Sequence, residues 1–146
     1  MIKQKKYKKC ALAIIKYKNK FLLQLRDNKD HIRDPNMWGL FGGSINRNEK
    51  PMNALKRELI EELNHNFISI KKFTKIFYKK DKMECYIYFI NTNNNKFDLK
   101  EGQEYNFFLL NDILLGSIYS KITKKSHNLT FITYKAIKRL KLQRSK

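Results

Sequence analysis

Acidic residues are scarce in this chain: 13 Asp and Glu stand against 32 Lys and Arg over 146 residues, a formal net charge of +19. Two readings of that excess stay open. A polyanionic partner is one, because basic surfaces capture phosphates and steer them in. The other is a chain-wide preference for Lys, Asn and Ile, since the charge runs from end to end with only modest clusters at KQKKYKK, KKFTKIFYKKDK and KRLKLQRSK. Either way, anionic substrates such as nucleotides or RNA are favoured.

Other scarcities exclude more. The longest apolar runs (CALAII, FFLL, DILLG) are far too short to span a bilayer. The basic, then apolar, start MIKQKKYKKCALAIIKYKNK does not read as a secretory signal, because its apolar stretch meets Lys16 and Lys18 without a small-residue cleavage site. A cytoplasmic protein is expected, with no membrane partner. No Pro-, Gly- or Ser-rich linker divides the chain and no repeat appears, so positions 1–146 are read as one domain. The only two cysteines, Cys10 and Cys85, lie in strand-like apolar surroundings with no Cys or His at metal-ligand spacing. They read as core fillers; neither zinc nor a disulfide is implied.

Periodicity organises what remains. CALAIIKY and KFLLQLR read as two strands of a hairpin, DNKDHIRDPNMWG as a loop, and MWGLF as a short strand leading into Gly42-Gly43. EKPMNALKRELIEEL has helical spacing, with apolar residues at 52, 55, 59 and 63 and Pro51 in the first turn. FISIKKFTKIFY and MECYIYFINT read as long strands joined around KKDK, NNNKFDLKEGQEY as a loop, and NFFLL as a strand. NDILLGSIY reads as a short helix capped by Asn111 or Asp112, and SHNLTFITYKAIKRLKL as a closing helix. A sheet-centred α/β domain follows.

Against the general scarcity of acids, Glu49, Glu58, Glu61 and Glu62 fall within fourteen residues, three of them on one helix. With Glu58 at zero, Glu61 falls near −60° and Glu62 near +40°, a stripe beside the apolar face, with Arg57 flanking it at about −100°. Like charges at these spacings destabilise a helix by a few tenths of a kcal/mol per pair. Converging carboxylates suit a hard divalent cation, while a solvated acidic face is the ordinary alternative. Gly42-Gly43, placed after a strand, and Glu49 in the intervening loop favour a phosphate–metal site.

The same residues resemble the Nudix hydrolases, whose signature is G-x5-E-x7-R-E-U-x-E-E-x-G-U with U bulky and aliphatic. Gly43, Glu49, Arg57, Glu58, Leu59, Glu61 and Glu62 match in register, over a box spanning 43–65. Asn64 replaces the last glycine and His65 the last aliphatic; Asn is the next-best residue for a left-handed helix end. MWGLFGG looks like the family's strand into the box, with Phe41 where many members have proline.

That resemblance implies a single-domain α/β/α sandwich with a mixed sheet, hydrolysing a diphosphate bond with Mg2+, or Mn2+ in its place. It implies metal ligation by Glu58, Glu61, Glu62, the Gly42 carbonyl and Glu101 of LKEGQEY, with Glu104 as rival. Arg57 and Glu49 would orient the carboxylates, and Glu58, then Glu101, would serve as base. Three adjacent acids also titrate as a coupled set. Gly43, Trp38, Phe41 and Asn128 are the candidates for substrate contact, with Tyr78 as another ring able to stack a base. For the aromatics core packing is the competing role, and for Asn128 a helix cap. The expected substrate is a nucleoside triphosphate or nucleoside diphosphate derivative; an RNA 5′ end and a catalytically inactive binding module are the alternatives.

Overall fold

The computed structural model describes residues 6–144, so the outermost positions of the expected domain and of two basic clusters lie outside the described residues. In chain order the elements are β1 (Lys8–Tyr17), β2 (Lys20–Leu25), β3 (Trp38–Gly39), β4 (Phe41–Ser44), α1 (Pro51–Leu63), β5 (Ile70–Tyr78), β6 (Met83–Asn91), β7 (Glu104–Leu109), α2 (Leu110–Ile113), β8 (Ser117–Ser120), β9 (Lys125–Asn128) and α3 (Phe131–Arg144).

Strand β1 is the hub. It runs parallel to β6 along Lys8–Lys16 and antiparallel to both β2 and β4, while β2 also pairs β3 and β7 and β6 pairs the edge strand β5. Successive strand side chains alternate faces, and β1 shows it cleanly. Ala11, Ala13 and Ile15 pack with Leu55, Leu59 and Leu63 under α1, whereas Cys10 and Ile14 pack with Ala136, Ile137 and Leu140 under α3. The mixed sheet is therefore covered on both faces, the sandwich that the resemblance implied.

Helix α1 starts and stops for local reasons. Lys50 is held extended (φ −75, ψ 144) ahead of Pro51, as a residue before proline prefers. Asn64 ends the helix in the left-handed region (φ 50, ψ 41), its N–H donating to Ile60 O at 2.9 Å. His65, the second departure from the signature, packs its ring against Phe67 and Phe97 at 4.4 and 5.3 Å.

Three expectations need correction. Ser126–Asn128 belong not to the closing helix but to β9, which pairs with β8. Asn128 is therefore no cap; Thr130 takes that place, its Oγ1 accepting from Thr133 N–H at 3.3 Å. Helix α2 covers only Leu110–Ile113 and has no side-chain cap from Asn111 or Asp112; beyond Gly116 (φ 86) the chain turns into β8. Finally, Cys10 and Cys85 are joined as a disulfide, because the parallel register of β1 and β6 sets them directly opposite, with Cα atoms 4.7 Å apart.

Candidate active site

The two glycines are explained first by close packing. Strand β4 lies antiparallel on β1, and a Cβ on Gly42 (φ 131) would stand 2.1 Å from Ala11 O. On Gly43 it would stand 2.5 Å from Cδ of Glu58. Only a residue without a side chain lets the α1 carboxylate rest on this strand.

The three acids of α1 do not form one stripe. Glu62 turns inward and is 4% exposed, Glu58 is half-buried against Gly43, and the Glu61 side chain is 50% exposed. Glu62 Oε1 accepts from Gly42 N–H at 2.9 Å, and its Oε2 accepts from Gln24 Nε2 at 3.1 Å. Both donors are neutral. Burial, with the charges of Glu58 and Glu101 nearby, pushes the Glu62 carboxyl up to about 8 despite those two hydrogen bonds.

Arg57 is the clamp. Its Nε and Nη2 form a two-pronged pair with Glu49 at 2.9 and 3.0 Å, and Nη2 also donates to Ser44 O at 2.9 Å. Nη1 reaches Glu58 Oε1 at 3.0 Å and, more loosely, Glu61 at 3.4 Å. The hydrogen bonds from Arg57 and from Asn46 N–H lower the Glu49 carboxyl, and the Glu49 pairing in turn raises Arg57. Glu58 is raised: burial outweighs the hydrogen bond and charge of Arg57, and Glu61 and Glu101 add to it.

Glu58, Glu62 and Glu101 line one cavity of about 230 Å³ with Gln24, Arg26, Asp27, Gly42 and Gly43. The turn that brings Glu101 there depends on Gly102 (φ 96), whose N–H donates to Asp27 Oδ2 at 3.3 Å. Glu104, its rival, points elsewhere and accepts from Ser120 Oγ at 2.6 Å. Glu58 and Glu62, both raised by burial, bring hard carboxylate oxygens to a cavity that Glu101 also lines, and a divalent cation would relieve that clustering, so this donor set fits one. Among the described residues, no three acidic, His or Cys side chains form a ready-made group for a metal ion.

A second cavity of about 180 Å³ adjoins the first and shares Arg26, Gly42 and Gly43 with it. Leu12, Arg33, Leu40, Met83, Thr130 and Ile132 contribute to its walls.

Trp38 and Phe41, expected as substrate contacts, are both 0% exposed. Trp38 packs edge-on to Phe108, and its Nε1 donates to Ile118 O at 3.0 Å, tying the β8–β9 hairpin to the sheet. Phe41 belongs to the core under α1. Neither ring can stack a base. Asn128 is exposed on β9 and lines neither cavity, and Tyr78 stacks on Phe131 at 4.2 Å. Residues that the sequence reading missed are Gln24, Arg26 and Arg33. Arg26 Nε donates to Arg33 O at 2.8 Å, which folds the 26–37 loop over the site. QLR within a strand carries no signal of its own.

The NUDIX domain family model matches residues 6–128. An 8-oxo-dGTP diphosphatase of Buchnera aphidicola subsp. Schizaphis graminum is 33% identical over 124 residues, covering 85% of this chain and 94% of that protein. Among solved structures, the MutT protein of Methanosarcina mazei Go1 superposes with a TM-score of 0.75 at 19% identity, over 98% of this chain and 99% of that one. The NUDIX domain of Shewanella oneidensis NrtR, complexed with ADP ribose, gives 0.74 at 16% identity, over 96% and 90%.

Proposed function

This chain belongs to the Nudix family as a MutT-like pyrophosphohydrolase, and from that premise we propose that it cleaves free (deoxy)nucleoside triphosphates, a purine or oxidised purine foremost, to the monophosphate and pyrophosphate. The whole chain, 1–146, is proposed to work as one such domain. The observation that carries the reading is the convergence of Glu58, Glu62 and Glu101 on one cavity floored by Gly42 and Gly43. The relative acting on an 8-oxo-dGTP supports the choice of substrate class.

Glu58, Glu61, Glu62, Glu101 and the Gly42 carbonyl are the groups proposed to hold magnesium, or manganese in its place. When bound, the ion neutralises phosphate oxygens and makes water more acidic. The protein's own contribution is positional. Arg57 and Glu49 hold Glu58 in place, and Gln24 with Gly42 N–H holds Glu62. Glu58 is the proposed acceptor of the proton from the attacking water, with Glu101 second; the bond broken joins the phosphoryl group to its leaving phosphate oxygen. Arg26, common to both cavities, is placed to meet phosphate, with the nucleoside in the smaller one.

The proposed setting is the cytoplasm, where such nucleotides are made and used. No helix among the described residues is long and apolar enough to cross a membrane. The Cys10–Cys85 bond weighs the other way, since disulfides are rare in cytosolic proteins.

Glu58→Gln and Glu62→Gln test the reading. Each is expected to lower turnover by about 100-fold or more while far-UV circular dichroism stays native. Near-full activity in either variant would remove that carboxylate from the mechanism.

A further inference from the structure

Outside this site a groove of about 510 Å³ lies at the start of α1, and it shares no residue with either cavity above. Its size lies within the range of about 300–1,000 Å³ usual for small-molecule sites. The shape follows from one irregularity in the sheet. Tyr86 and Tyr88 point to the α1 face of β6, two residues apart. Their cross-strand partners on β5, Lys75 and Lys72, are three apart, because a bulge falls between Lys72 and Thr74. Cross-strand partners share a face, so the extra residue brings both lysines to the side of the two tyrosines.

The start of α1 closes the end of the groove through Lys50, Pro51 and Met52. No side chain caps this helix and its first turn holds no acid. The N–H groups of Met52 and Asn53, at the second and third helical positions, have no intrahelical acceptor. Such a terminus attracts anions.

An independent observation points the same way. Tyr88 is 3% exposed and lines the groove, and among the described residues its hydroxyl has no hydrogen-bond partner. No buried side-chain polar atom among the described residues lacks a partner, so this hydroxyl is open to the groove and free to donate into it. The Lys50 and Lys72 side chains likewise form no ion pair or hydrogen bond among the described residues. Lys75, by contrast, is committed to Glu84 at 2.8 Å and lies over the Tyr86 ring at 4.7 Å. Tyr86 also donates to Glu84, at 3.1 Å.

We propose that this groove is a second binding site, separate from the carboxylate cavity, for a nucleoside monophosphate unit. The phosphate would lie among the α1 N-terminus, Lys50, Lys72 and the Tyr88 hydroxyl, and the base against Tyr86 and Met52. A free mononucleotide and a nucleotide within an RNA strand present the same chemistry here.

The test is a 1H–15N correlation titration of the full chain in EDTA, with guanosine monophosphate, inorganic phosphate and a 5′-phosphorylated trinucleotide as separate probes. Guanosine monophosphate is expected to shift signals at 50, 52–53, 72–75 and 86–88 in a saturable way. Tyr88→Phe should weaken it by about fivefold, the loss of one hydrogen bond. Lys50→Glu with Lys72→Glu should weaken it by tenfold or more and leave triphosphate hydrolysis unchanged. Tighter binding of the trinucleotide, falling steeply with salt, would identify RNA as the source; equal binding would identify the free nucleotide. Shifts confined to Gly42, Gly43 and Glu58, or none at millimolar nucleotide, would overturn the site. Phosphate binding as tightly as the nucleotide would overturn the aromatic half of the assignment. None of these failures touches the hydrolytic reading, which rests on other residues.

Discussion

Gly43 and Glu58 are in direct contact across the β4–α1 junction: a Cβ on residue 43 would lie 2.5 Å from the Glu58 Cδ and 2.7 Å from either carboxylate oxygen. The glycine is the seat of the proposed base. Gly43→Ala must push that carboxylate aside, and because the clash is with the far end of a flexible side chain, the fold should survive. We expect hydrolysis to fall by at least about tenfold with a stability cost of about 1–3 kcal/mol. Steady-state kinetics beside thermal melts check this; wild-type turnover in the alanine variant would show that Glu58 need not sit where it does.

Arg57 makes its contacts through a planar fork, which lysine cannot copy. One ammonium cannot pair with both oxygens of Glu49 and also reach Glu58 and Ser44 O. Arg57→Lys should therefore lower kcat by about tenfold or more with little change in KM, the pattern of misplaced catalytic groups rather than weakened substrate binding. A purely electrostatic role for Arg57 would leave the lysine variant close to wild type.

Glu62 gives a prediction for stability against pH in the metal-free protein. Its carboxyl is raised from an ordinary 4.5 to about 8, so the native state binds the proton more tightly than the unfolded chain. The contribution is full below about pH 4.5, declines as pH rises, and is gone once pH passes about 8. Glu62→Gln removes that decline. In EDTA at pH 8 the variant should melt higher than wild type by a few degrees, the equivalent of about 1 kcal/mol or more in a domain of this size. The two should converge toward pH 5. Higher stability together with lost turnover would mark Glu62 as a residue kept for chemistry rather than for folding.

The box was legible because its information is local. Over 23 residues, spacing alone puts Glu58, Glu61 and Glu62 on one helix with Arg57 at their flank, and Asn64 announces the helix end. What the spacing could not supply was register. That Glu62 turns inward follows from its partners Gly42 and Gln24, 20 and 38 residues away in sequence. The opposition of Cys10 to Cys85 depends on a parallel pairing across 75 residues. Trp38 and Phe41 looked available for stacking because aromatic residues beside a glycine-rich turn look alike whether they face core or cleft. Their burial follows from the β2–β3 and β1–β4 pairings and from the β8–β9 hairpin that Trp38 anchors. The start of α3 was ambiguous in SHNLT, where Ser, Asn and Thr can each cap a helix. The pairing of β9 with β8 leaves Thr130 as the cap.

The most direct test of the central claim is magnesium-dependent release of phosphate and pyrophosphate across a substrate panel. It would hold canonical and oxidised (deoxy)nucleoside triphosphates, nucleotide sugars, dinucleoside polyphosphates and a short 5′-triphosphate RNA. The account predicts pyrophosphate release from one preferred free purine nucleoside triphosphate, abolished by EDTA and by Glu62→Gln. Turnover of the RNA alone, or none on any substrate by a folded, magnesium-supplied protein, would contradict it.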